Sequence, residues 1–113
     1  MTKTQDAQRL QDLAQLMLDQ RLHALRLAGE QLQRSRDQLS AINDPAAPVD
    51  LSPVTAGLVD VTYQRWADIR RAELNATIAR QTVALIEARA EAGQAFGRTR
   101  ALEGALTRLA QRR

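Results

Sequence analysis

The chain offers few side chains that could do acid–base, nucleophilic or metal chemistry. His23 is the sole histidine of the chain, and the chain contains no cysteine. Asp19 precedes His23 by one helical turn, which suits a local hydrogen bond or weak ion pair, but no carboxylate–histidine cluster with metal-ligand spacing surrounds the two. Ser35 and Ser40 lack a histidine–aspartate constellation, and no phosphate-loop, dinucleotide-binding or HExxH motif is present. The sequence therefore predicts a non-enzymatic protein without a metal or cofactor, with His23 on a solvated helix face.

Basic and aromatic side chains are the remaining candidates for binding. The formal net charge is +3 at pH 7, and residues 96–113 hold five arginines against Glu103 as the only acid. These arginines, diluted by Leu and Ala, lack the density and base-reading residues of a nucleic-acid-binding basic region. Two interpretations stay open for them: docking to an acidic protein surface, or a frayed basic tail. Tyr63 and Trp66 share a helix face and either pack against the first helix around Leu32 or anchor a partner.

Two long helices must position these groups. In the second half of the chain, residues that are apolar or small with the exception of Gln81 recur at alternating four- and three-residue steps, the pattern of a coiled-coil seam. Its members are Leu74, Ile78, Gln81, Leu85, Ala88, Ala92, Ala95, Thr99, Leu102, Leu106 and Leu109. The first half carries a less regular stripe, which is interrupted by a stutter between Leu10 and Leu22. Its members are Leu10, Ala14, Leu18, Leu22, Leu25, Gly29, Leu32, Arg36 and Leu39.

The sequence predicts an all-α fold, a single antiparallel coiled-coil hairpin over residues 1–113. Helix one is expected at about 5–42, a loop with Pro45 and Pro48 at 43–52, and helix two at about 53–111, begun by Ser52 as N-cap and Pro53. A turn centred near residue 47 or 48 pairs residues whose numbers add up to about 95, so residues 92–113 of the longer second helix should overhang without intrachain cover. We expect a cytoplasmic chain without a membrane span or signal segment.

A second apolar stripe lies opposite the seam of helix two, at the b and f positions that are ordinarily polar. It comprises Ile69, Ala72, Ala76, Ala79, Val83, Ile86 and Ala90. A helix with two apolar faces needs two partners, so the sequence leaves open a self-associating structural coiled coil, in which this face pairs two hairpins into a four-helix bundle.

The segment Trp66-Ala67-Asp68-Ile69-Arg70-Arg71-Ala72-Glu73-Leu74, with the later Ala95-Phe96-Gly97-Arg98, resembles the C-terminal helix of FliJ/YscO-type proteins of flagellar and type III secretion export machines. The likeness extends in outline to the whole chain. It implies a two-helix stalk whose helical termini insert into the export ATPase ring, with the export gate and chaperones as further partners. The residues implied to face the ATPase are Phe96, Arg98, Arg100, Leu102, Leu106 and Leu109.

Overall fold

A computed structural model describes residues 2–44 and 50–112 of the chain. Two helices account for nearly all of them: α1 spans Thr2–Asn43, and α2 spans Pro53–Gln111. The described residues contain no strand, and the predicted antiparallel hairpin with a longer second helix is confirmed. Of the predicted loop, residues 45–49 lie outside the described part of the chain.

The start of α2 follows from its first residues. The Ser52 hydroxyl accepts a hydrogen bond from the backbone N–H of Thr55 at 3.3 Å, and the Ser52 carbonyl accepts one from the N–H of Ala56 at 2.8 Å. Pro53, which has no N–H to leave unsatisfied, is the first helical residue. Ser52 therefore caps α2 as the sequence predicts.

The helices divide into two compact units: a central unit, Glu30–Val83, and a terminal unit, Met1–Gly29 with Ala84–Arg113. In the central unit, Ile42, Ala67 and Leu74 form a buried cluster against which Leu39 packs. At the end of α1, the Arg71 guanidinium donates to the side-chain oxygen of Asn43 at 2.9 Å. Because α1 ends opposite Arg71, the turns of α2 that precede Ala67 are mostly exposed in the described chain, and Tyr63 among them still contacts the end of α1.

In the terminal unit, Ala92, Ala95 and Thr99 are buried. The Thr99 hydroxyl lies 3.5 Å from the carbonyl oxygen of Ala14, and the Arg21 guanidinium lies 3.1 Å from the Glu91 carboxylate. The predicted overhang of residues 92–113 is therefore wrong, because α1 covers their seam. In each unit, the numbers of facing residues add up to about 113. Ala14 and Thr99 are an example in the terminal unit, and Asn43 and Arg71 are an example in the central unit. The uncovered part of α2 lies at its start.

The seam of α1 is also more regular than predicted. Leu10, Leu22 and Arg36 are exposed, and Gln11 and Arg21 take the inward positions instead, so the predicted stutter is absent. Long polar side chains can line a seam through their methylene stems, which is why apolar spacing alone misplaced it. The buried or half-buried positions with unbroken heptad spacing are Ala7, Gln11, Ala14, Leu18, Arg21, Leu25, Ala28, Leu32, Ser35, Leu39 and Ile42. On α2, every predicted seam residue from Leu74 to Leu109 is buried or half-buried.

Candidate protein-interaction surfaces

The six residues implied to bind a partner divide into two groups in the terminal unit. Leu102, Leu106 and Leu109 are half-buried seam residues. Phe96, Arg98 and Arg100 are exposed, and the Arg100 guanidinium lies 5.9 Å from the centre of the Phe96 ring. That separation is in the range of a cation–π contact. The side chains offered to solvent are therefore an aromatic ring with adjacent cations, whereas the leucines hold the two helices together.

An apolar groove of about 400 Å³ opens on the terminal unit, where the two helices meet. Leu10, Leu13 and Met17 of α1 form one side, and each is at least 41% exposed. Arg98 and Leu102 contribute from α2. The groove was not predicted from the sequence, because the apolar spacing places Leu10 in the seam. The signal was present in the three- and four-residue spacing of Leu10, Leu13 and Met17, which places them on one helix face.

Cations dominate the last turns of α2. Arg98, Arg108 and Arg112 are exposed, and no carboxylate within the described ranges lies within ion-pair distance of any of them. Arg100 has only a long contact, 3.8 Å, to Glu103. Arg98 and Arg108 lie on α2, which ends at Gln111, and Arg112 directly follows it.

The second apolar stripe is exposed throughout. In the central unit it forms what we call the central outer face, whose members are Ile69, Ala72, Ala76, Ala79 and Val83. Ile69 is 63% exposed and Val83 is 55% exposed. In the terminal unit, Ile86 and Ala90 are likewise exposed. Packing among the described residues therefore uses one face of α2 and leaves the other apolar face without a partner there.

The aromatic pair sits on the central unit. Trp66 is 52% exposed, and its ring centre lies 5.7 Å from that of Tyr63. The Tyr63 hydroxyl donates to the carbonyl oxygen of Ile42 at 3.2 Å. The pair therefore lies at the end of α1 and not beside Leu32, with Tyr63 attached to α1 and Trp66 facing solvent.

The first turns of α2 expose further apolar side chains that the sequence reasoning did not single out. Each of them is more than half exposed, and they are Val54, Leu58, Val59 and Val61. The α2 seam begins only at Ala67, so none of the described α1 residues covers these side chains. Their exposure follows from the register, which residue spacing did not reveal.

His23 is exposed on α1. Among the described residues, no group of three histidine, aspartate or glutamate side chains is arranged to hold a metal ion. Within the same part of the chain, neither helix has a stretch both long and apolar enough to cross a bilayer. The described residues expose several apolar or cationic surfaces: the groove, the surface formed by Phe96, Arg98 and Arg100, the central outer face and the start of α2.

Comparisons with protein families, with characterised proteins and with solved structures found no match to this chain.

Proposed function

We propose that the chain is a non-enzymatic coiled-coil adaptor or stalk of a bacterial flagellar or type III protein-export apparatus, and that its terminal unit binds the export ATPase ring. The supporting observation is the paired end of that unit. The beginning of α1 and the end of α2 lie side by side, with Leu10 and Leu102 lining one groove. A paired helical end is what the FliJ/YscO resemblance implies for insertion into the ring.

The chemistry of this end suits an acidic partner with apolar anchors. Exposed cations such as Arg98 steer association and select orientation, whereas an exposed aromatic side chain such as Phe96 supplies desolvation energy at an interface. The groove beside Arg98 is lined by leucine, methionine and alanine side chains, which suits an inserted apolar residue. The seam leucines Leu102, Leu106 and Leu109 contribute by holding α2 against α1.

The proposal includes a cytoplasmic location at the membrane-associated export machine, with the export gate or chaperones as additional protein partners. Contact with nucleic acid is not part of it. The cations are few and spaced by apolar residues, whereas nucleic-acid binders concentrate them in one patch.

The test is a titration of the full chain with a purified hexameric export ATPase. Phe96→Ala and Arg98→Glu should each weaken binding at least tenfold, about 1.4 kcal/mol, because hot-spot side chains typically contribute that much or more. Arg34→Glu is the matched control: Arg34 is 71% exposed on α1 in the central unit and should leave affinity unchanged. Absence of binding by the unmodified chain, or equal affinity of Arg98→Glu and Arg34→Glu, overturns the proposal.

Point substitutions are a cleaner test than truncation. Removing residues beyond Ala95 would also uncover Ala14, whose carbonyl oxygen lies near the Thr99 hydroxyl. A truncated chain that fails to bind could therefore have lost its fold. Phe96 and Arg98 are exposed, so substituting them leaves the seam intact.

A self-associating structural coiled coil is the second candidate function. The observation that favours it is the exposed central outer face, whose heptad spacing equals that of the seam.

A further inference from the structure

We propose that the central unit binds a second copy of this chain, with the two α2 helices antiparallel and their central outer faces in contact. This inference gives the second candidate function a partner, a direction and a register. It does not depend on the export function.

The central outer face has the geometry of a helix–helix seam. Its five residues follow one another at steps of three, four, three and four, which is the spacing that inserts side chains into the holes of a facing helix. All five are exposed in the single chain. Three of them are alanines in the middle of the face, and small side chains at the contact let two helix axes approach toward the short end of the usual 8–10 Å range.

One antiparallel register makes four of these five residues, those from Ala72 to Val83, complementary to the same four of the second copy. When Ala76 lies opposite Ala79 of the second copy, Ala72 lies opposite Val83 of the second copy. Small side chains then meet small ones at the centre, and a small one meets a branched one on either side of the centre; Ile69 lies beyond these four pairs. Two-fold symmetry repeats every such contact, so each favourable pairing occurs twice.

The charges beside the face select the same register. Glu73 and Arg80 flank the face on one side. In the antiparallel register, Glu73 lies opposite Arg80 of the second copy, and Arg80 lies opposite Glu73 of the second copy. The contact therefore contains two ion pairs. In a parallel, in-register pair, Asp68 would instead face Glu73 of the second copy, which is a like-charge contact. Electrostatic complementarity therefore favours the antiparallel direction.

These charged groups are accessible in the single chain. The Arg80 guanidinium donates to the Thr77 hydroxyl at 3.2 Å, and no carboxylate of the described residues lies within ion-pair distance of it. The Glu73 side chain is 59% exposed and contacts Arg70 one turn earlier at 3.2 Å. A second copy would supply Arg80 with a carboxylate while Glu73 keeps its local partner.

Sedimentation equilibrium over about 1 µM to 1 mM, the range in which weak small interfaces associate, tests the proposal. The apparent mass should rise from 12.5 kDa toward twice that value. Glu73→Arg and Arg80→Glu should each raise the dissociation constant at least tenfold, and the double variant should return it to within threefold of the unmodified chain. Glu30→Arg is the matched control, since Glu30 is 60% exposed on α1 in the same unit and undergoes the same charge change.

Oxidative cross-linking tests the register independently, because the chain has no native cysteine. A mixture of Ala76→Cys and Ala79→Cys chains should yield more mixed disulfide dimer than either chain alone yields of its own dimer. Circular dichroism confirms that each variant remains helical. A chain that stays monomeric throughout overturns both self-association and this register. A dimer whose dissociation constant is the same in the unmodified chain and in the Glu73→Arg and Arg80→Glu variants overturns the register but supports self-association.

Discussion

Replacing Leu74 by alanine tests the pairing of α1 with α2 in the central unit. Leu74 is 2% exposed and belongs to the cluster with Ile42 and Ala67, with Leu39 packed against it. Leu58 is the matched control, because it is a leucine on the same helix and in the same unit but is 66% exposed. The two substitutions remove the same atoms from environments that differ mainly in burial.

The expected magnitude follows from the carbon atoms removed. Leu→Ala deletes three carbons, and at about 0.8 kcal/mol per buried methylene the transfer contribution is about 2.4 kcal/mol. A residual cavity adds to this, but a layer of two helices can partly close around the site, so we expect a total loss of about 3 kcal/mol at Leu74. At Leu58 most of the side chain is already in water, and alanine favours helix slightly over leucine, so the change should stay within about 0.5 kcal/mol.

Urea unfolding followed by circular dichroism at low protein concentration measures both variants. With an unchanged slope against denaturant, Leu74→Ala should lower the midpoint substantially and Leu58→Ala should leave it unchanged. Comparable losses at the two positions, or a loss below about 1 kcal/mol at Leu74, would refute the assignment of Leu74 to the seam and with it the register of the central unit.

Three further outcomes test the register and the local energetics. In this cysteine-free chain, the double variant Ala14→Cys with Thr99→Cys should form an intrachain disulfide under mild oxidation. The double variant Ala14→Cys with Gln81→Cys, which pairs the residues of the turn-centred register, should not. Gel mobility distinguishes the two outcomes. Gln81→Leu should raise the unfolding free energy by about 1–2 kcal/mol, since the buried Gln81 side-chain oxygen accepts no hydrogen bond within the described chain. Ser52→Ala should cost about 1 kcal/mol in the same unfolding assay, because it removes the cap of α2.

The burial of the α2 seam residues was predictable from their heptad spacing alone. Leu74, Ala92, Ala95 and Thr99 are buried as their spacing predicts, and the opposite stripe is exposed. Heptad periodicity decides which residues share a helix face, and this holds whatever the helix packs against. The exposed position of Val83 follows from the same periodicity.

The pairing of the two helices was not predictable in this way. The turn-centred estimate placed Leu10 near Leu85, whereas the structure places Leu10 in a groove with Leu102. A connecting segment constrains register only when it is a tight turn, and here α2 begins well before it meets α1. Which heptads face each other is decided by the burial of both seams together, to which polar residues such as Gln11 also contribute.

The amino-acid sequence by itself determined that the chain forms two helices, where α2 starts, and which residues of α2 face inward, because propensity, capping and periodicity act over a few neighbouring residues. Only the tertiary structure decided that the seam residues between 92 and 109 are covered by α1, that the start of α2 is left exposed, and that Leu10, Leu13 and Met17 border a groove with Arg98. The register of the two helices depends on the side-chain burial summed along both of them, and a local residue pattern does not specify it.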